Sequence, residues 1–251
     1  MYGLELWQLG AAILVTFCAG FVKGAIGFAL PMIMLSVFAS FMDAETALAL
    51  LIVPVVATNA AQAFRNGFAA AWQTAVEYRV HLITLLVFIA ISAPLVTILP
   101  AMVMFLILGV PIVLYSANEL LGRSLVIPIH HRKRAEFGLS VIGGLYGGIS
   151  GIWGPPLIIY LLSTGVEKAK SMRVMGVSFF GGGLMLTLAH LFTGVLDHRT
   201  LPLSIFLALP ALLGIWVGFR AHDRLDPAKF RRFTLLMLLL TGANLLRKAL
   251  M

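Results

Sequence analysis

One twelve-residue stretch occurs twice, and it constrains this chain more than any other feature. Residues 20–31 read GFVKGAIGFALP and residues 144–155 read GLYGGISGIWGP. At an offset of 124, Gly20 falls on Gly144, Gly24 on Gly148, Gly27 on Gly151 and Pro31 on Pro155. A second proline, Pro156, follows the later copy. The register continues to Asp43, which falls on Glu167. After small gaps, Ala117-Asn118 and Leu120-Leu121 recur as Ala243-Asn244 and Leu245-Leu246. The offset is close to half of 251 residues, so the chain reads as two copies of one unit.

Both copies interrupt long apolar runs. Three glycines and a proline within a dozen residues do not sustain a continuous helix. In a bilayer, backbone that is not helical must be buried in protein or line a cavity. Paired Gly/Pro-interrupted segments in two halves therefore point to a transporter's binding site. The surroundings are those of a membrane: 61% of residues are hydrophobic and 11% charged, against about 25% charged in a soluble domain. The net charge of +8 raises nucleic acid as a partner, but the cations lie in short gaps between apolar runs. That is the distribution of a positive-inside membrane protein. No nucleic-acid partner is expected. The lone cysteine, Cys18, rules out an intrachain disulfide and a cysteine-based metal site. The first ten residues, MYGLELWQLG, lack the cationic region of a signal peptide, so they are expected to be retained.

A crossing helix needs about 20 apolar residues. Eight apolar segments are present, at 7–41, 44–64, 80–99, 101–121, 137–165, 171–193, 201–219 and 231–248. The first and fifth are too long for one simple span, and they carry the repeated stretch. If all eight cross, the Lys and Arg of the loops divide nine to eight between the two faces. If segments one and five enter and leave on the same side, fourteen fall on one face: those in 65–79, 122–136, 166–173 and 220–232. Three fall on the other, Arg199, Arg247 and Lys248, and Lys23 stays within a hairpin. Positive-inside orientation favours the second arrangement. About 30 residues suffice for two half-depth helices. Each half then holds one re-entrant segment and three transmembrane helices, and an odd number of crossings inverts the second half. The expected fold is an all-α polytopic membrane protein of two homologous halves, inverted repeats at 1–122 and 137–251, joined by a basic cytoplasmic linker at 123–136. The alternative is eight plain spans whose glycines serve close helix packing.

The candidate site follows from the repeats. Glycines 24, 27, 151 and 154 could let a ligand approach the backbone. A half-helix opened by Pro31 or Pro155 would present free N–H groups and partial positive charge to an anion. Phe28 and Ser150 lie within the same stretches, and Trp153 either walls a pocket or fills space. Lys23 sits between Gly20 and Gly24 and has Gly147 as its counterpart in the other copy. It is either a functional charge or a snorkelling one. Asn59 and Gln62 share a helix face and either bound a cavity or make interhelical hydrogen bonds. Their equivalents are Gly183 and Leu186. Ser178 and His190 are weaker candidates, with His190 read as interfacial. Arg173 reads as a topology determinant. His130-His131-Arg132-Lys133-Arg134 reads as a lipid-facing anchor rather than a metal site. No HExxH, GxSxG, Walker A or intraspan carboxylate pair is present. No enzyme activity, cofactor or metal is expected.

The duplicated GxxGxxGxxxP, the helix start at 43–47, the run 167–180, His190…Gly194…Asp197 and the closing Gly242-Ala243-Asn244-Leu245-Leu246 resemble the sulfite exporter TauE/SafE family of membrane permeases. The resemblance covers nearly the whole chain. It implies transport of small sulfur-containing anions such as sulfite, sulfoacetate or other organosulfonates across the bacterial inner membrane. The expected partners are then a small anionic substrate and the lipid bilayer, with homo-oligomerisation left open. A passive anion channel and a non-transporting membrane scaffold are the alternatives.

Overall fold

The computed structural model describes residues 5–123, 126–221 and 227–250. Among them the chain is helical throughout: α1 (Leu6–Ile26), α2 (Leu30–Phe41), α3 (Ala44–Ala63), α4 (Phe68–Glu77), α5 (Arg79–Ser92) with a 3-10 extension (Ala93–Thr97), α6 (Ala101–Leu120), α7 (Arg132–Ser150), α8 (Gly154–Ser163), α9 (Lys168–Thr193), α10 (Thr200–Ala221) and α11 (Pro227–Ala249). Six helices among the described residues are long and apolar enough to cross a membrane: α1, α3, α5 with its extension, α6, α9 and α10. Arg224, one of the cations of 220–232, lies outside the described residues.

The repeated stretches break the helices at matching places. Helix α1 ends at Gly27, whose φ of 89° caps it in the left-handed region, with its N–H bonded 2.7 Å to the Lys23 carbonyl. Helix α7 ends likewise at Gly151, φ 69°, bonded 2.7 Å to the Gly147 carbonyl. Glycine takes this conformation without the Cβ clash that other residues suffer. Pro31 then stands in the first turn of α2, and Pro155 and Pro156 in that of α8, where a missing N–H costs nothing.

Each broken segment folds back on itself. The Gln8 side-chain amide, at the start of α1, donates to the Phe41 carbonyl at the end of α2 (3.1 Å), and the Trp7 ring packs tilted against Phe41 with centroids 5.6 Å apart. At the start of α7, Arg132 donates to the Tyr160 hydroxyl of α8 (3.3 Å), which in turn donates to Glu136 (3.4 Å). The arms are not the equal half-depth pair expected. Helix α1 has 21 residues, about 31 Å, and returns through only 12. Helix α7 has 19 and α8 has 10. The outgoing arm is longer because it packs along a full-length helix of the other half.

Small residues set that packing. A Cβ on Gly24 would sit 2.9 Å from the Gly218 Cα of α10, and one on Gly144 would sit 2.8 Å from the Leu85 carbonyl of α5. Backbones meet directly, as small-residue stripes permit in lipid. Thus α1 lies on α10 and α7 on α5, each hairpin held by the opposite half. Two further pairs join the halves, and both run antiparallel. Along α3 and α9, Val56 lies against Gly183, Asn59 bonds to Phe179 and Ala63 lies against Gly176. Along α6 and α11, Gly109 lies against Leu246 and Val113 against Gly242. Pro54 within α3 frees the Leu50 carbonyl, since it has no N–H to return. Ser204 of α10 donates to that carbonyl (3.1 Å) and accepts from the Val53 N–H (3.1 Å).

The basic segments gather at one end of the bundle. Lys170 pairs with Glu77 at 2.5 Å, the Ser163 hydroxyl accepts from the Ile127 N–H at 2.9 Å, and Arg65 lies 4.6 Å over the Phe219 ring. Helix α4 lies at this end and exposes Phe68, Trp72 and Val76. This suits an amphipathic helix resting in the interface.

Candidate functional site

The two helix breaks meet around one small cavity. From the first half it is lined by Lys23, Phe28, Ala29, Pro31, Met32, Val55 and Asn59, and from the second by Gly151, Ile152, Trp153, Gly154, Pro155 and Phe179. The repeated stretch positions most of these residues. Val55 and Asn59 come from α3 and Phe179 from α9, the antiparallel pair that crosses between the hairpins.

Lys23 is the single cation in this lining, and among the described residues no carboxylate joins it. Only 1% of the residue is exposed, so it does not snorkel. Its ammonium donates to the Asn59 side-chain oxygen, while the Asn59 amide donates to the Phe179 carbonyl at 3.0 Å. The ammonium also lies 6.0 Å from the Phe179 ring centroid. Trp153 meets Phe179 edge-on at 6.3 Å and completes an aromatic wall. An ammonium buried with one neutral acceptor retains most of its desolvation cost. That cost falls when an anion enters beside it.

The asymmetry between the halves is a volume exchange. Gly147 stands where the first half has Lys23, and the Trp153 ring fills the space a side chain there would need, lying 2.7 Å from a built Cβ. Ala29 stands where the second half has Trp153. It adopts φ 81°, and among the described residues it is the one non-glycine in the left-handed region. That conformation costs roughly 1–2 kcal/mol, and such strain persists where surrounding structure over-determines it.

The half-helix amides contribute less than their position promises. Pro155 and Pro156 have no N–H, so Gly154 is the one donor among the first three residues of α8, and Pro31 likewise removes one from α2. Lys23 carries the positive charge of the site.

Several residues singled out in the sequence lie elsewhere. Gly24 packs against Gly218. Gly27 lies beneath the Met172 side chain, with the Gln62 amide nitrogen 4.0 Å from its built Cβ. Gln62 donates to the Met172 carbonyl at 3.1 Å. The Ser150 hydroxyl donates to the Tyr146 carbonyl (2.7 Å) and accepts from Ile152 N–H (3.0 Å), so it shapes the break without lining the cavity. Ser178 is buried outside the lining. His190, expected at the interface, is fully buried, with Nδ1 3.2 Å from the Thr193 hydroxyl. Phe179, Val55, Met32, Ala29 and Ile152 line the cavity without having been singled out. Phe179 had one signal, its place in the run 167–180.

Each hairpin tip is sealed by a matched pair. Gly27 lies under Met172 and Gln62. Gly151 lies against Leu48 and Leu186, which sit 3.5 and 3.6 Å from its built Cβ, and against Leu51. The offset of 124 carries Leu48 to Met172 and Gln62 to Leu186. Met172 stands near the basic end of α9, whereas Leu48 stands near the start of α3, beside the mouth of the first hairpin. With both tips seated, the cavity holds about 20 Å³, room for roughly one water.

Among the described residues no cluster of three His, Cys, Asp or Glu side chains could hold a metal ion. On the loop before α10, backbone hydrogen bonds from Thr200 (2.8 Å) and Arg199 (2.9 Å) hold the Asp197 carboxyl below the usual carboxylate range.

Compared with known proteins, the model of the family described as Sulfite exporter TauE/SafE matches residues 12–245. No curated protein matches the chain, and no solved structure does.

Proposed function

The chain belongs to the sulfite exporter TauE/SafE family of permeases, and from that premise we infer that it is a secondary transporter exporting small sulfur-containing anions such as sulfite, sulfoacetate or other organosulfonates. One observation carries this reading: a buried ammonium with no carboxylate partner among the described residues, placed where the two broken hairpins meet. The membrane is the bacterial inner membrane, with the basic end cytoplasmic. There the clustered cations raise the local anion concentration, which supports export.

Transport proceeds by alternating access between two inverted halves, 1–122 and 137–251, joined by the basic linker 123–136. The antiparallel pairing of α3 with α9 and of α6 with α11 supports the inversion, because equivalent helices of parallel repeats would run the same way. The two tips serve as lids. The first withdraws from Met172 and Gln62 to admit the anion from the basic end. The second withdraws from Leu48 and Leu186 to release it at the other. A cavity of about one water's size favours this gated cycle over an open channel.

The test is uptake of radiolabelled sulfite into proteoliposomes, with taurine, sulfoacetate and sulfate as competitors. Saturable uptake with counterflow is expected, abolished in Lys23→Gln. Flux that rises linearly without counterflow would instead mark a channel, and flux of none of these anions would remove the transport reading.

A further inference from the structure

Beside the cavity that holds Lys23 lies a second one, of about 210 Å³, with an apolar lining. It is bounded by Met32 of α2, Pro111 of α6, Ile142 and Tyr146 of α7, and Ile152 and Pro155 of the second break. The one hydroxyl among these side chains, that of Tyr146, donates to the Leu108 carbonyl at 3.4 Å. Met32, Ile152 and Pro155 also line the Lys23 cavity, so they form a wall with the charge on one side and this space on the other.

Depth and rim decide the occupant. Pro111 stands at the middle of α6, which has 20 residues and is long enough to cross. At 1.5 Å per residue it lies about 15 Å from either end, halfway through a hydrocarbon core about 30 Å thick. Lipid headgroups lie at the ends of such a span, and the tips of their acyl chains at its middle. On the rim Ile142 is 56% exposed, and Val110 and Leu145, each next in the chain to a lining residue, are exposed too. Bilayer hydrocarbon therefore stands against the opening. An apolar cavity on the order of 150 Å³ stays dry and accepts benzene, so this one has room for about eight carbons. Between two apolar surroundings the gain is not removal from water but the dispersion contacts that the lining makes once filled. We propose that this cavity is a lipid-tail site. It takes the terminal segment of a bilayer phospholipid's acyl chain, and that chain braces the second break through Ile152 and Pro155. Of residues 27–29 at the first break, none lines it. On the function proposed above, the bilayer's acyl chains then act on the tip that releases the anion, but the site itself does not rest on that reading.

The test is photolabelling of the full-length protein in phosphatidylcholine vesicles whose lipid carries a diazirine at the end of one acyl chain, mapped by peptide mass spectrometry. Met32 and Ile112, both lining residues, are 2% and 1% exposed, so bilayer lipid reaches them only through the cavity. Leu114, 64% exposed, is labelled in any case. The terminal diazirine should label Met32 or Ile112, and one placed next to the glycerol should label neither. Ile142→Trp overfills the cavity from its exposed side and should lower that labelling about tenfold, with Leu114 unchanged. Labelling of Leu114 alone overturns the proposal, and so does labelling of Met32 that survives Ile142→Trp. Capture of a free diazirine-bearing octane at Met32, with none of the lipid, gives the cavity to small neutral molecules and also overturns it. For the brace, adding phospholipid back to delipidated protein should slow amide hydrogen exchange across 151–154 more than across 27–29, and equal slowing at both breaks overturns that part. None of these readouts uses transport. Failure here leaves the anion site standing, and absence of sulfite uptake leaves the lipid-tail site standing.

Discussion

At the scale of single residues, the site turns on Lys23 and its one neutral partner. Removing the charge while keeping the volume, as in Lys23→Met, relieves a desolvation cost that Asn59 offsets only in part. The variant should be as stable as the unaltered protein or more so by about 1 kcal/mol, and should bind no anion. Asn59→Leu does the reverse. It leaves the ammonium without its acceptor and should cost about 1–3 kcal/mol, much of which the double variant recovers. Thermal unfolding in detergent across the four proteins checks this, and additive losses would show that the two side chains act apart. The presence of a charge at 23 was legible in the sequence, because an ionisable residue inside an apolar run stands out. Its counterpart was not. Trp153 fills over Gly147 the volume that Lys23 takes in the other half, and that exchange shows only when two residues six apart in each repeat are seen in one space.

At the scale of elements, the repeated glycines divide into two jobs that the sequence writes in the same letter. Gly20, Gly24, Gly144 and Gly148 let helices touch backbone to backbone, whereas Gly27 and Gly151 end helices in the left-handed region. Both jobs need a residue without a Cβ, so spacing located the breaks correctly but did not tell which glycine faced a neighbour and which shaped the cavity. The proline pair was also ambiguous. It marks a helix start, yet it removes the N–H groups that would make that start an anion site. The two classes should respond differently to one change. Gly24→Leu forces α1 away from α10 and should abolish accumulation of folded protein. Gly151→Ala imposes roughly 1–2 kcal/mol of left-handed strain and crowds Leu51 but leaves α7 on α5, so it should fold and slow transport. Size-exclusion profiles beside uptake rates separate the two. Loss of folded protein in both would mean that the second tip is structural.

The loop before α10 gives an element-scale dependence on pH. Asp197 is held below the ordinary carboxylate range by the amides that open that helix, so its stabilisation is present above the unfolded value and fades as pH falls through the folded one. Asp197→Ala should lower the melting temperature at neutral pH. The gap to the unaltered protein should close as the pH drops below the usual aspartate range. A gap constant with pH would place the effect in the side chain's packing rather than its charge.

At the scale of the whole molecule, the partition of charge and the path of the chain must agree. Counting Lys and Arg favoured two re-entrant segments, and the hairpins close at their mouths through Gln8 with Phe41 and Arg132 with Tyr160. Helix α4 escaped the reading because its ten residues are too few to cross and its apolar face is an interfacial one. With both hairpins returning, residues 130 and 169 share the basic end, joined there by Ser163 with Ile127 and Lys170 with Glu77, while residue 198 sits at the other. Cys18 is the one native cysteine and is exposed, so labelling begins from Cys18→Ala. In that background, His130→Cys and Ala169→Cys should react with a membrane-impermeant maleimide only in inverted vesicles, and His198→Cys only in intact cells. Reaction of 130 and 169 from opposite sides would require the second broken segment to cross. It would also separate residues that the fold joins within hydrogen-bonding reach, so the same result would count against both the charge argument and the packing of α7 with α8.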